Sequence, residues 1–214
     1  QRKVLVNGQV AGMGQQVEET DTVQVGKKIL QGKQTQKALA FYKPVGVTCT
    51  ERDPHAEKKI MDMIRYPERL TYAGRLDKDS EGLILLTNDG DLINAMMRGA
   101  NRHEKEYIVK TDREITPDFL EKMAKGIYLK DLDITTRECE IEQIGKFTFR
   151  IVLTQGVNRQ IRRMCEACGY RVKALKRIRI MNILLGDLKP GKWREITGEE
   201  LEQLQRDTGM LNRN

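Results

Sequence analysis

The stretch that most constrains the fold runs from Gly74 to Thr87. Its first part, Gly74-Arg75-Leu76-Asp77-Lys78-Asp79-Ser80-Glu81-Gly82, is bracketed by glycines and dense in ionisable groups. Its second part, Leu83-Ile84-Leu85-Leu86, is wholly apolar and is followed by Thr87-Asn88-Asp89-Gly90, a turn signal. An apolar run this short, bounded by turn-formers, suits a buried strand rather than a helix. The charged stretch is therefore a loop feeding a core strand, a common way to position chemistry on a rigid scaffold.

Three readings of this loop compete. One is a solvated turn. A second is a calcium loop, because Asp77, Asp79, Glu81 and Gly82 fall at the first, third, fifth and sixth positions of an EF-hand pattern. The twelfth position, however, is Asn88 instead of a bidentate Glu, and a strand follows where a helix should. The third is a resemblance. Gly74-Arg75-Leu76-Asp77, followed by a Gly-Leu-rich strand, resembles the catalytic motif of the pseudouridine synthases. It is most similar to the branch that acts on ribosomal RNA, the RsuA and RluB/E/F group. With Asn88-Asp89-Gly90-Asp91-Leu92 following, the wording comes closest to the RluF type. The motif is long and specific, so this reading outweighs the other two.

With 214 residues the chain can build one good core and a small appendage. Its 39% hydrophobic and 32% charged residues suit a soluble globular protein. No apolar run approaches the ~18 residues of a transmembrane helix. No signal-peptide core follows Gln1, and a first residue other than Met suits a piece of a longer chain. The net charge is +7, and its placement matters more than its total. Residues 156–180 carry eight basic residues against one acid, Glu166, a local excess equal to that of the whole chain. Such concentration is the footprint of a polyanion site, whereas solubilising faces usually mix signs.

The four cysteines lack a secretory context and are read as reduced thiols in the cytoplasm. Cys165 and Cys168 form a CxxC, but no second ligand pair stands at zinc spacing, and no metal or cofactor is expected. His55 and His103 are the only histidines, which argues against a Ser-His-Asp hydrolase.

Along the chain, Arg2–Val10 and Thr20–Val25 read as two short alternating strands with an Asn-Gly turn. The pattern resembles the C-terminal half of an S4 RNA-binding domain without the helices that normally precede it. Residues 26–37 are polar and glycine-containing, as a linker would be. The division expected is a partial S4-like segment at 1–30, a linker at 31–37 and a catalytic domain at 38–214. Strands are expected at Ala38–Tyr42, Leu70–Ala73, Glu104–Lys110, Lys146–Thr154, Tyr170–Leu175 and Ile178–Leu185. Helices are expected around Ile60–Ile64, at Asp91–Arg98 closed by Gly99, and after Thr116-Pro117 up to Gly126. Another is expected from an Asn158 N-cap to Gly169. The last has Thr197 as its cap, with Glu200 completing a capping box. In the helix after Asn158, Ile161, Met164, Cys165 and Cys168 fall on one buried stripe, so both cysteines fill core. Arg159, Arg162, Arg163 and Glu166 share another face, where the arginines would line a groove.

The resemblance extends over residues 38–200 and carries further implications. Lys43-Pro44-Val45-Gly46 resembles the first family motif, a fixed turn in which Lys43 is a candidate phosphate contact. Lys105-Glu106-Tyr107 matches Lys-x-Tyr, whose tyrosine stacks on the target base. Gln160-Ile161-Arg162 matches the motif whose arginine pairs with the catalytic aspartate, here Asp77. Arg75 would hold the flipped state by filling the vacated stack, and Arg159 and Arg163 would contact RNA. The implied fold is the pseudouridine synthase fold, a largely antiparallel central sheet with flanking helices and a cleft; spacing alone says only α+β. The implied activity is isomerisation of a uridine in 23S ribosomal RNA by a monomer, with tRNA a candidate second substrate. A non-catalytic RNA-binding or ribosome-assembly protein would use the same basic face and would not need Asp77.

Overall fold

The computed structural model describes residues 3–18, 21–26, 28–31, 36–50, 58–98 and 102–211. His55, Gly99 and parts of the expected first strands and linker lie outside these residues. The chain divides into two compact units, 1–36 and 37–214.

The first unit is a four-stranded antiparallel sheet in the order β2-β1-β3-β4, built from β1 (Val4–Val6), β2 (Gln9–Val10), β3 (Val23–Val25) and β4 (Lys28–Gln31). Asn7 and Gly8 both take positive φ, so the Asn-Gly pair turns between β1 and β2, which the sequence reading merged. The polar stretch after Gly26 is also corrected: Lys28–Gln31 pairs with β3 instead of forming a linker.

The second unit centres on β7 (Glu81–Thr87), the strand expected at Leu83–Leu86. Its partner along one edge is β5 (Ala38–Lys43), antiparallel throughout. Its other edge is shared. β6 (Thr71–Ala73) covers Leu85 to Thr87, and β13 (Val172–Ile180) runs parallel beside Glu81 and Gly82. The chain leaves the sheet at Ala73, forms the charged loop and re-enters at Glu81. The loop thus stands where one neighbour gives way to another.

β13 continues the sheet antiparallel to β8 (Lys105–Thr111), which pairs with β12 (Thr148–Leu153) and that with β11 (Glu140–Gly145). β15 (Trp193–Glu195) closes the opposite edge on β5, and β14 (Ile183–Leu184) folds back on β13. A separate two-stranded pair is formed by β9 (Tyr128–Leu129) and β10 (Ile134–Thr135). The two expected strands at 170–175 and 178–185 are redrawn: β13 runs unbroken from Val172 to Ile180, the end of the second becomes β14, and Tyr170 instead closes the preceding helix by donating its amide to Cys165 O.

The alternation of a strand explains why the run in β7 is apolar throughout. Leu83 and Leu85 join one core, together with Leu92 and Met96 of α2 (Gly90–Met97) and Leu204 of α5 (Gly198–Asp207). Ile84 and Leu86 join a second core on the other face, with Ile60 of α1 (Ile60–Met63). A third core lies where β8 and β12 pack on α3 (Pro117–Lys125) and α4 (Gln160–Ala167). Cys165 sits wholly within it, and burial pushes its thiol up to about 12; Cys168 packs at its margin. Both are core filling.

Local chemistry sets the starts of α2 and α3. Asp89 accepts from the amides of Asp91 and Leu92, and Thr116 accepts from Phe119 with Pro117 in the first turn. Two expected caps are corrected. The N-cap of α4 is Arg159, in the left-handed conformation at φ 51°, and not Asn158. Thr197 flanks α5 without a side-chain cap bond, and Glu200 instead takes a two-pronged ion pair from Arg194 at 2.6 and 2.7 Å. A bidentate guanidinium–carboxylate pair competes well against a single backbone amide.

Candidate active site

Two buried cations pin the charged loop. Lys43, with no solvent exposure, donates Nζ to the carbonyls of Ser80 at 2.6 Å and Pro44 at 2.8 Å. Burial draws its ammonium below the ordinary lysine range, against the attraction of Cys49, Asp77, Asp79 and Glu81. The phosphate role read for Lys43 does not fit this placement: the side chain is fully buried and bonds carbonyls inside the fold. Arg177, only 2% exposed, reaches both ends of the loop. Its Nε donates to Leu83 O at 2.7 Å and its Nη1 to Arg75 O at 3.4 Å. The amide of Gly46 adds a bond to Lys78 O at 2.7 Å, so the Lys-Pro-x-Gly turn braces the loop from below.

Within the loop, Ser80 N donates to Asp77 O, a tight turn that leaves the Asp77 side chain one-third exposed. The start of α4 faces it. Arg162 is buried, and its Nη2 binds Asp79 O and Ser80 Oγ, each at 3.1 Å, and Asp79 Oδ2 at 3.2 Å. Its Nε stands 4.0 Å from Asp77 Oδ2, without a hydrogen bond. Arg159 comes closer, with Nη1 3.3 Å from Asp77 Oδ2 and 3.4 Å from Asp79 Oδ1. Asp77 is therefore held between two guanidiniums, the nearer being the one expected only to contact RNA. Arg163 turns away from both. It donates to Asn158 O and pairs with Asp131, in the turn between β9 and β10. The common arginine face drawn from helical spacing fails because Arg159 precedes the helix in a left-handed conformation.

These groups line a cleft of about 620 Å³. Arg75, Asp77, Tyr107, Arg159 and Arg162 all contribute to its walls; Lys43 and Arg163 do not. Arg75 is exposed at the rim, and Tyr107 is half-buried with its ring against two of the cores. Sequence reasoning missed Lys105 and His103 as lining residues, and Arg177 as more than one of the basic stretch. The signal for Lys105 was its place two residues before Tyr107, which puts both on one strand face. The calcium reading loses its geometry here. Asp77 and Asp79 turn to the arginines, while Glu81 accepts a hydrogen bond from Tyr42 at 2.7 Å.

An ionised carboxylate oriented by guanidiniums, beside an aromatic wall and a cationic rim, can act as a nucleophile or base on a flat polyanion-borne ring.

The chain matches the model of the family described as RNA pseudouridylate synthase over residues 37–167. It is 43% identical to the dual-specificity RNA pseudouridine synthase RluF of Escherichia coli K12, over 95% of this chain and 70% of that protein. It is 32% identical to the ribosomal large subunit pseudouridine synthase B of Vibrio cholerae, over 95% of this chain and 66% of that protein. A crystal structure of a pseudouridylate synthase superposes with a TM-score of 0.75 at 27% identity, covering 95% of this chain and 89% of the other. With the motifs of the cleft in place on the fold those relatives share, the chain belongs to the RNA pseudouridylate synthase family, a family of RNA-modifying isomerases, and is of the RluF type.

Proposed function

We propose that this protein isomerises a specific uridine of 23S ribosomal RNA to pseudouridine, with Asp77 as the catalytic group. The observation that carries the reading is the convergence of Arg159 and Arg162 on Asp77 in a cleft whose wall includes Tyr107. The name of the Vibrio cholerae relative supports a large-subunit target, and the dual specificity of RluF supports a second RNA, with tRNA the candidate.

The target carbon is hidden in stacked RNA, so the nucleotide must flip out at a cost of a few kcal/mol. Arg75, exposed at the rim, fills the vacated stack with a planar cation that can stack and hydrogen-bond. Tyr107 packs against the extruded uracil. Asp77 attacks at the sugar C1′ or the base C6, the glycosidic bond breaks, and the ring turns and rejoins through C5. The hydrogen on C5 leaves to water as a proton. The four-stranded sheet of residues 1–36 supports a further RNA contact of S4-like kind. The protein acts in the cytoplasm as a monomer; among the described residues no helix is long and apolar enough to cross a membrane.

The test is Asp77→Asn. The variant keeps the shape of the side chain but loses its charge and nucleophilicity. RNA affinity by filter binding stays near wild type, while tritium release from uracil C5 becomes undetectable. Turnover at an appreciable fraction of the wild-type rate overturns the reading, and absence of release by the wild type favours a protein that only binds RNA.

A further inference from the structure

β8 and the residue before it sort their charges by destination. Glu104 and Glu106 are taken up by arginines: Arg179 binds Glu106 at 2.6 Å and Glu104 at 3.0 Å, and Arg150 binds Glu106 at 3.2 Å. Lys105, between them in sequence, lines the cleft with Tyr107. On β13, Arg177 is the cross-strand partner of Tyr107 and lines the same wall.

Neither cation has a carboxylate partner among the described residues. The Nζ of Lys105 reaches only His103 O, at 3.4 Å. Arg177 donates to two backbone carbonyls, and its Nη2 is buried with no hydrogen-bond partner. The two also act on each other. Burial first, and then the charge of Arg177, draw the Lys105 ammonium below the ordinary lysine range. A buried cation normally has an anionic partner; Arg177 is buried and Lys105 half-buried, and two such cations that repel each other without an anion oppose folding. Such an arrangement is kept where an anion completes it.

We infer that Lys105 and Arg177 form an anion subsite of the cleft, which takes up the negative charge left on the uracil ring during the reaction. When a carboxylate oxygen of Asp77 bonds to C1′, the C1′–N1 bond breaks and its electron pair goes to the ring, spread over N1, O2 and O4. When C5 bonds to C1′, the carboxylate leaves with its own pair, the C5 hydrogen departs as a proton to water, and N1 takes up a proton. Attack at C6 also drives a pair onto the ring, from the C5–C6 double bond to O4. On either route, fixed cations beside the ring favour the charged state over the bound uridine. An RNA phosphate is the other anion this chemistry could hold.

The inference rests on the isomerase reading, which wild-type tritium release tests by itself. The variant is Lys105→Met, since Lys105 makes one long hydrogen bond and its removal leaves the loop anchors intact. Removing one stabiliser of a developing anion typically lowers the chemical rate by about 100-fold or more. The single-turnover rate at saturating RNA is expected to fall by that order, with RNA affinity within about threefold, the salt slope unchanged and Lys105→Arg recovering most of the rate. A retained rate with weaker binding and a salt slope shallower by about 0.7–0.9 identifies the anion as phosphate and overturns the uracil assignment. If rate, affinity and slope are all unchanged in a variant that melts like wild type, there is no anion subsite. Lys105→Gln, read in the same way, serves if the Met variant does not fold.

Discussion

Arg159 Nη1 lies 3.3 Å from Asp77 Oδ2, nearer than the Nε of Arg162 at 4.0 Å, although Arg162 is the arginine of the Gln-Ile-Arg motif. The left-handed backbone of Arg159 produces this contact by swinging its side chain off the helix face. Arg162 is instead built into the loop through Asp79 and Ser80, and its Nε makes no hydrogen bond. Asp79→Asn leaves two of the Arg162 anchors, the Asp79 carbonyl and Ser80 Oγ, in place. Turnover should stay within about tenfold of wild type, roughly 1.4 kcal/mol, unlike the complete loss in Asp77→Asn.

The arginines of α4 should separate in a salt titration. Arg159 lines the cleft, whereas Arg163 is committed to Asp131 and Asn158. Arg159→Gln should shallow the log–log dependence of RNA affinity on salt by roughly 0.7–0.9, and Arg163→Gln should leave it unchanged. Equal slopes for the two variants would show that the free-state contacts do not govern RNA binding.

At Tyr107, the ring and the hydroxyl can be told apart. Among the described residues the hydroxyl has no hydrogen-bond partner, while the ring packs against two cores and lines the cleft. Tyr107→Phe should therefore fold normally and retain much of its turnover. Tyr107→Ala should lose more, since stacking on a base is worth ~1–3 kcal/mol. Single-turnover kinetics of both variants, with melting curves as controls, decide it; a Phe variant as inactive as Ala would mean that the hydroxyl takes part.

Gly82 allows no side chain. Its φ is +111°, and a Cβ there would lie 2.2 Å from the carbonyl oxygen of Arg177, where β13 closes on β7. Backbone strain and a forced separation of the strands each cost ~1–3 kcal/mol. Gly82→Ala should lower the urea unfolding free energy by about 3 kcal/mol or more. Gly90→Ala, at an open helix start without positive φ, should change it by less than about 1 kcal/mol.

The ion-pair cluster of β8 predicts a pH dependence. Burial acts to raise the Glu106 carboxyl, but hydrogen bonds from Arg179 and Arg150 outweigh it and hold its pKa below the ordinary value of 4.5. The unfolded chain then binds the proton more readily, so the contribution of Glu106 is fully present above about pH 5 and is lost as pH falls through 4.5 and below. Glu106→Gln should cost about 1.5–3 kcal/mol at neutral pH. It should also flatten the acid limb of a plot of urea midpoint against pH; an acid limb as steep as wild type would place the titrating group elsewhere.

The local features of this protein were legible in its residues. The apolar run after Gly82 had to be a core strand, and the cap at Thr116 follows from short-range chemistry, whereas Asp89, read only as a turn residue, proves to cap α2. The motifs located the loop, Tyr107 and the helix after it, because each depends on neighbours a few residues away. What spacing could not supply was the pairing between segments about eighty residues apart. Helical periodicity put Arg159, Arg162 and Arg163 on one face, but only the packed loop shows which carboxylate each meets. The burial of Lys43 and Arg177 is likewise a tertiary matter. A lysine in a Lys-Pro turn and an arginine in a basic stretch both read as exposed until β5, β7 and β13 close around them and carbonyls accept their hydrogen bonds. Sequence determines which groups a segment can present; the switch of partners along β7, from β6 to β13, decides which of them converge on one cleft, because that break in the sheet is where a polar loop can sit beside buried strands.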